Sequence, residues 1–443
     1  MEKDTKVLSV VESKDIKKDF FSPRFFSDDT GEIVTGILSQ VREKGDAVLR
    51  EYAATFDKCP LTGFCVDGED IRLQGEALKK DNPALYEALA YSWDLALRFA
   101  RRQRKSFEDF ETELEPGLFT GQKTIAVDRA GLYVPAGRFP LLSTVIMTAA
   151  PAVAAGCKEV ILCTPPRKHP SLEGKPFADK GILATAHICG ISKIFACGGA
   201  QAIGAMAYGT ETIPRCDVIV GPGNKYVAEA KRLVYGTVGI DMVAGPTEVF
   251  IIADKTAHPA WVAADMLAQS EHDPDAQAIL ATDSRELACA VEKELEKQLE
   301  VLPTKEVAAV SLKKNGYIII TKDLDEAADL ANKKAPEHLE LALEAGATLD
   351  ALRETVHNYG SLFIGHGSAE VLGDYAAGLN HTLPTSTSAR FTGGLSVRNF
   401  LKTVTTLRTE EGSAGQKKSA LSASVLGEAE GLIGHARAAQ VRL

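Results

Sequence analysis

The chain has 443 residues, of which 45% are hydrophobic and 25% charged, and it carries a net charge of −10. That length allows about two to four domains, each able to bury its own core, and the ordinary composition excludes a disordered chain. The negative balance, with no clustered positive face, speaks against a nucleic-acid partner.

The opening MEKDTKVLSV lacks the charged-then-apolar pattern of an export signal. The most apolar long run, 141–156, contains Ser143, Thr144, Thr148 and Pro151, so it reads as a buried helix and not a membrane span. A cytoplasmic protein with no membrane partner is expected. Eight cysteines (Cys59, Cys65, Cys157, Cys163, Cys189, Cys197, Cys216, Cys289) are scattered without a CxxC, as reduced core thiols are. Cys197 precedes Gly198-Gly199 at a strand end, where a thiol could attack an aldehyde. No histidine or lysine neighbours it in sequence, which favours packing.

In chain order, residues 1–120 read as a charged helical region with few strand signals. EIVTGILSQVREKGDAVLREYAATFD and ALYEALAYSWDLALRFARRQRKSF repeat apolar residues at helical spacing. The Arg101-Arg102-Gln103-Arg104-Lys105 cluster fits a solvated helix end whose cations complement the dipole.

Near Lys123 short apolar runs begin to alternate with helical stretches. Gly131-Leu132-Tyr133-Val134 is closed by Pro135, 159–163 is ended by Pro165-Pro166, and 193–197 and 217–220 follow. Continuous apolar strands separated by helices indicate a parallel sheet covered on both faces, with ligands bound beyond the carboxyl ends of its strands. Those ends carry Gly198-Gly199-Ala200-Gln201 and Gly221-Pro222-Gly223-Asn224-Lys225. Neither is a GxGxxG, so a dinucleotide cradle and a plain tight turn remain as alternatives. A second alternation runs through 249–253, 277–280, a charged helix at 292–302, and 316–320. The expected architecture is α/β: a helical N-terminal region (1–120), two tandem Rossmann-like parallel-sheet units (121–240 and 241–385), and a polar, loop-like tail (386–443) ending in a helix at about 422–442. Such a tail packs on its own body or on a partner subunit.

Between 249–253 and 277–280, Pro259 suits a first helical turn, and Trp261, Val262 and Met266 recur at helical spacing. Asp273-Pro274 stops the helix, which places Gln269 and His272 one turn apart at a polar rim. An amide oxygen and a neutral imidazole so placed suit a borderline-soft cation such as zinc if other side chains complete the sphere. Taken alone, such a histidine is a surface or capping group. Four further stretches set a carboxylate or imidazole at a boundary flagged by Gly or Pro: Pro336-Glu337-His338, Gly373-Asp374, Asn380-His381, and Glu430-Gly431 running to His435. Adjacent Glu337-His338 suits acid–base work near neutral pH, against the plainer reading of a capped helix start. Gln269, His272, Asp374 and His435 together form an N/O ligand set, and no HExxH, zinc ribbon or serine-hydrolase elbow competes with it.

The runs YVPAGRFPLLSTVIMTAAPA, GGAQAI, VGPGNKYVAEAKR, DMVAGPTEV, DMLAQSEHDPDAQ, APEHLEL, GDYAAGLNHTLPTS and EGLIGH, in this order between about 95 and 435, resemble the histidinol dehydrogenase family. The resemblance implies a zinc- and NAD-dependent homodimer that oxidises an alcohol through an aldehyde to a carboxylate. It assigns Gln269, His272, Asp374 and His435 to zinc and makes Glu337 and His338 the acid–base pair. Thr247, His381 and Glu430, with the metal ligands and His338, match substrate-contacting positions; Tyr133, Gln201 and Asn224 match positions that touch NAD. It also implies that the tail crosses to the neighbouring subunit, so that Glu430 and His435 complete the partner's site.

Some positions depart from the pattern. Ala136 stands where a second glycine is usual, and Thr247 replaces the usual serine, adding a methyl to the substrate wall. NYGSLFIG, ARFTGGLSV and FLKTVT look more like a sister branch that oxidises small sulfonated diols, for which Arg390, Arg398 and Lys402 are possible anion donors.

Overall fold

The computed structural model describes residues 7–24, 30–137 and 140–443. Residues 1–6 and 25–29 of the N-terminal region, and Arg138 and Phe139 of the YVPAGRFP run, lie outside them.

The chain is a mixed α/β protein built on two parallel sheets. In the first, Arg129–Tyr133 lies between Glu159–Thr164 and Val218–Val220, with Lys193–Ala196 and Gly239–Ile240 at the edges. Leu132, Ile161, Leu162 and Ile219 are completely buried, as expected for strands covered by helices on both faces. One covering helix, Leu142–Ala155, is the long apolar run; it is buried over most of its length and closed by left-handed Gly156. No described helix is long and apolar enough to cross a membrane.

The second sheet runs Ser9–Glu12, Tyr317–Ile320, Gln277–Thr282, Glu248–Ala253, His338–Ala342 and Ser361–Ile364, all parallel. Its outer strand therefore comes from the region read as helical. The two helical runs of that region are present, the first divided at Gly45 (φ 51) into Thr30–Lys44 and Asp46–Thr55, the second forming Pro83–Arg104.

A third, antiparallel sheet joins the ends of the chain: Phe110–Glu115 pairs with Leu118–Ala126, which pairs with Leu401–Thr409. The expected loop-like tail thus contains a nine-residue strand. Its side chains and those of Phe110–Glu115 are mostly exposed, so no apolar alternation marks them as strands. Beyond it the tail forms two helices, Ala414–Ala429 and Ile433–Gln440, divided near Gly431 (φ 73), instead of one.

Candidate active site

A cleft of about 1470 Å³ is lined by the N-terminal helices, by loops at the carboxyl edge of the first parallel sheet, and by Glu271, His272 and Tyr375 from the part of the chain that carries the second. The first sheet contributes its carboxyl edge. Tyr133 ends the central strand, and its hydroxyl accepts the Gly199 N–H at 3.0 Å. Burial pushes that hydroxyl's pKa up, so it remains a neutral phenol. Gly221, at φ 123, passes so close to Tyr133 that a Cβ would sit 2.1 Å from the Tyr133 carbonyl oxygen. The turn is clamped by a buried ion pair: Lys231 Nζ donates to the Gly221 carbonyl at 2.9 Å, and Asp241 Oδ2 accepts the Gly221 N–H at 2.8 Å. Asn224 caps the helix Lys225–Val234, accepting the N–H groups of Tyr226 and Val227 at 3.0 and 3.2 Å. Tyr133, Gln201 and Asn224 share this wall of the cleft, while Glu271, His272 and Tyr375 line the side belonging to the second unit.

The second cluster lies at the amino edge of its sheet, where Glu248 and His338 begin neighbouring strands. Glu337-His338 therefore opens a strand and not the helix that the plainer reading supposed. Glu337 is buried; its Oε2 accepts the Glu248 N–H at 3.0 Å and the Thr247 hydroxyl. Gln269 Nε2 donates to Thr247 Oγ1 at 2.6 Å, so three site residues from separate segments form one chain. Burial raises the Glu337 carboxyl to about 7, against the opposing pull of His338, Thr247 and the Glu248 N–H.

His338 Nδ1 stands 3.3 Å from the Glu248 carbonyl, 3.8 Å from Glu337 Oε2 and 3.8 Å from Glu370 Oε2. The carbonyl can only accept, which assigns a proton to Nδ1. Nε2 lies 3.5 Å from Asp374 Oδ1 with no aligned hydrogen bond. Burial opposes a charged His338, but Glu337, Glu370 and Asp374 outweigh it and hold its pKa high. Burial likewise works against an ionised Asp374, yet His338, His381 and His272 together hold that carboxyl below its usual range. His381 is pushed down by its own burial, and its Nε2 faces Thr144 Oγ1 of the first unit at 3.3 Å.

The histidinol dehydrogenase family model matches residues 22–443. A histidinol dehydrogenase from Thermus thermophilus is 47% identical over 416 residues, 93% of this chain and 94% of the relative. The chain belongs to the histidinol dehydrogenase family. A second relative of that name, from Streptococcus mutans, is 43% identical over 414 residues, covering 94% of this chain and 93% of its own. The crystal structure of histidinol dehydrogenase from Elizabethkingia anophelis superposes with a TM-score of 0.90 at 34% identity, covering 99% of each chain.

Within this family member, one chain brings together Thr247, Gln269, Glu337, His338, Asp374 and His381, with His272 close enough to bias Asp374. The helix Pro259–Ser270 begins at proline as expected but ends before His272, so a turn and not helical spacing sets the relation of His272 to Gln269. Glu430 and His435 are exposed on the tail, and among the described residues no side-chain hydrogen bond or ion pair ties them to the cluster. Nor does any group of three or more His, Cys, Asp or Glu among the described residues stand ready to hold a metal ion. Cys197 is buried and its thiol is pushed up by burial, the opposite of an activated nucleophile.

Sequence reasoning missed several residues. Glu248 touches both Glu337 and His338 through its backbone, and its side chain pairs with fully buried Lys334 at 3.0 Å. Asp57 and Arg167 line the cleft; burial raises Asp57 to about 6, with Arg167 pulling the other way. A lone lysine after a helical run and a lone aspartate in a loop carry no motif.

Proposed function

We propose that the chain oxidises L-histidinol through the aldehyde to L-histidine, delivering two hydrides to two NAD. The observation that carries this reading is the buried Glu337–His338 pair, connected through Asp374 and His272 to the cleft walled by Tyr133, Gln201 and Asn224. That wall would hold NAD. The positive dipole end of the helix Lys225–Val234 suits its phosphates.

Zinc fits the donors. Gln269 has its amide nitrogen committed to Thr247, leaving its oxygen to donate; Asp374 is kept ionised; His272 adds an imidazole, and His435 of a second copy completes an N/O set. Bound there, zinc supplies a Lewis acid that holds and polarises the alcohol. Asp374, as one of the residues that would hold the metal, would then leave His338 Nε2 free. His338 Nε2 would then accept the hydroxyl proton of the alcohol, and NAD would supply the hydride acceptor. Glu337, kept near neutrality by burial, takes a proton from the water that hydrates the aldehyde, and the second hydride departs. Thr247, His381 and the partner's tail residue at position 430 contact the substrate alongside the zinc ligands.

Exposed Leu421, Val425, Leu426, Leu432 and Ile433 give the tail helices an apolar surface that a second subunit would cover, in support of a homodimer with shared sites. A sulfonated diol would need cationic donors. Arg390 is bonded to the Lys333 carbonyl, and Arg398 and Lys402 are exposed on the third sheet and the turn before it. Neither they nor Arg390 line the cleft, which removes these three as sulfonate donors there. NADH formation with histidinol against a sulfonated propanediol, with zinc measured per subunit, tests the reading. Turnover of the sulfonate alone, or full turnover without zinc, would overturn it.

A further inference from the structure

The helix Leu142–Ala155 carries a buried proline, Pro151, in its interior. A proline there has no N–H to give the carbonyl four residues back, and its ring pushes that carbonyl away from the helix axis. The carbonyl so released belongs to Met147. Alanine stands beside the proline at 149, 150 and 152 and is the better helix former, so the need for a small apolar side chain does not by itself call for proline.

The Met147 carbonyl is taken by a side chain from far along the chain. Asn380 Nδ2 donates to it at 2.7 Å, across 233 positions in sequence. Asn380 Oδ1 accepts the Thr382 N–H at 2.9 Å. A carbonyl can only accept and an N–H only donate, so these two partners fix which way the amide points. Between them stands His381, whose Nε2 lies 3.3 Å from Thr144 Oγ1. Thr144, Met147 and Pro151 are three and four residues apart and share one face of the helix. Loop 376–384 contains no helix or strand, so its course depends on bonds of this kind. It also passes close to the helix Pro83–Arg104, where a Cβ on Gly378, at φ 81, would sit 2.9 Å from the Leu95 carbonyl oxygen. Among the described residues, the bonds at Met147 and Thr144 are the two that side chains make between this loop and the helix Leu142–Ala155.

We propose that Asn380 is a positioning residue for the alcohol: seated on the carbonyl that Pro151 releases, it fixes where the His381 ring stands against Thr144. The inference rests on the dehydrogenase reading, in which His381 contacts the substrate. The helix covers the first sheet, and the loop follows the helix Glu370–Tyr375 that carries Asp374, so one amide sets the distance between the two sides of the substrate pocket. Without its N–H the turn at Thr382 persists, but the ring loses its reference to the helix. The proline is then part of the site although it touches no reacting group.

The test uses Asn380→Asp, Pro151→Ala and the double variant in the full-length, zinc-loaded enzyme. Asn380→Asp keeps the shape and an acceptor for the Thr382 N–H but has no N–H for Met147. Pro151→Ala returns an N–H to the helix and draws the Met147 carbonyl back to the axis. Each single variant should raise KM for histidinol by about fivefold, the effect of one neutral hydrogen bond, with kcat, KM for NAD and zinc per subunit near wild type. Calorimetric titration of histidinol without NAD should show the same loss of affinity. The double variant should bind no more weakly than Asn380→Asp, because both changes remove the same bond. Unchanged histidinol affinity in Asn380→Asp, equal losses for histidinol and NAD, loss of zinc, or additive losses in the double variant would overturn the inference. If Pro151→Ala fails to fold, Asn380→Ala replaces it: an aspartate variant as weak as the alanine one supports the role, and one that binds like wild type leaves only the turn. A wild-type enzyme that neither binds nor oxidises histidinol defeats the functional reading, whereas an active wild type with indifferent variants defeats this inference alone.

Discussion

Glu337 and His338 are adjacent in sequence but depend on different neighbours. Glu337 is kept protonated to about pH 7 by burial, so water activation should grow as pH rises through that value and then level off. The sign follows from the role: the ionised form is the base, and a raised carboxyl pKa moves its appearance upward from the ordinary carboxylate range. Steady-state oxidation of the aldehyde across neutral pH should show this limb, and Glu337→Gln should remove it while lowering kcat by about a hundredfold or more. His338→Ala should leave zinc content and NAD affinity nearly intact and reduce alcohol oxidation by about 10²- to 10⁴-fold. Normal turnover in that variant would remove His338 from the chemistry.

At the scale of elements, the proposed acid–base pair is held by the start of one strand and the end of one helix. Lys334 ends the helix Leu324–Lys334 and reaches Glu248, the first residue of its strand, with neither side chain in contact with solvent. Lys334→Met would leave a buried carboxylate unpaired, so a loss of about 3–5 kcal/mol is expected in denaturant unfolding, with lower kcat because Glu248 orients both catalytic groups. The turn at Gly221 makes a parallel case on the cofactor side. Gly221→Ala drives a methyl into the Tyr133 carbonyl at an unfavourable φ, and should cost about 2 kcal/mol of stability and weaken NAD binding measured by titration. Both loops were visible in the sequence as glycine- or proline-marked boundaries. The clamps Lys231–Asp241 and Lys334–Glu248 were not, because ion pairs between distant segments leave no local pattern.

For the whole molecule, the tail matters most. The third sheet fastens it to the body through Leu401–Thr409, while its last helices expose an apolar surface and present Glu430 and His435 to solvent. Truncation before Glu430 should therefore leave a folded body by circular dichroism and abolish NADH formation; an active truncated monomer seen by sizing and assay would defeat the shared site.

Local information was enough for much of this protein. Buried apolar strands such as Glu159–Thr164, the long apolar helix Leu142–Ala155 and the polar boundaries around Glu337 and Asp374 follow from hydrophobic runs, glycine and proline, whose effects extend over only a few residues. What the chain order could not express is which ends of which strands meet. The proposed cofactor wall uses the carboxyl edge of one sheet and the proposed acid–base pair the amino edge of the other. Ser9–Glu12 and Leu401–Thr409 reach partners hundreds of residues away through backbone hydrogen bonds that any sequence can make. Those choices are made by global packing, and only the folded chain records them.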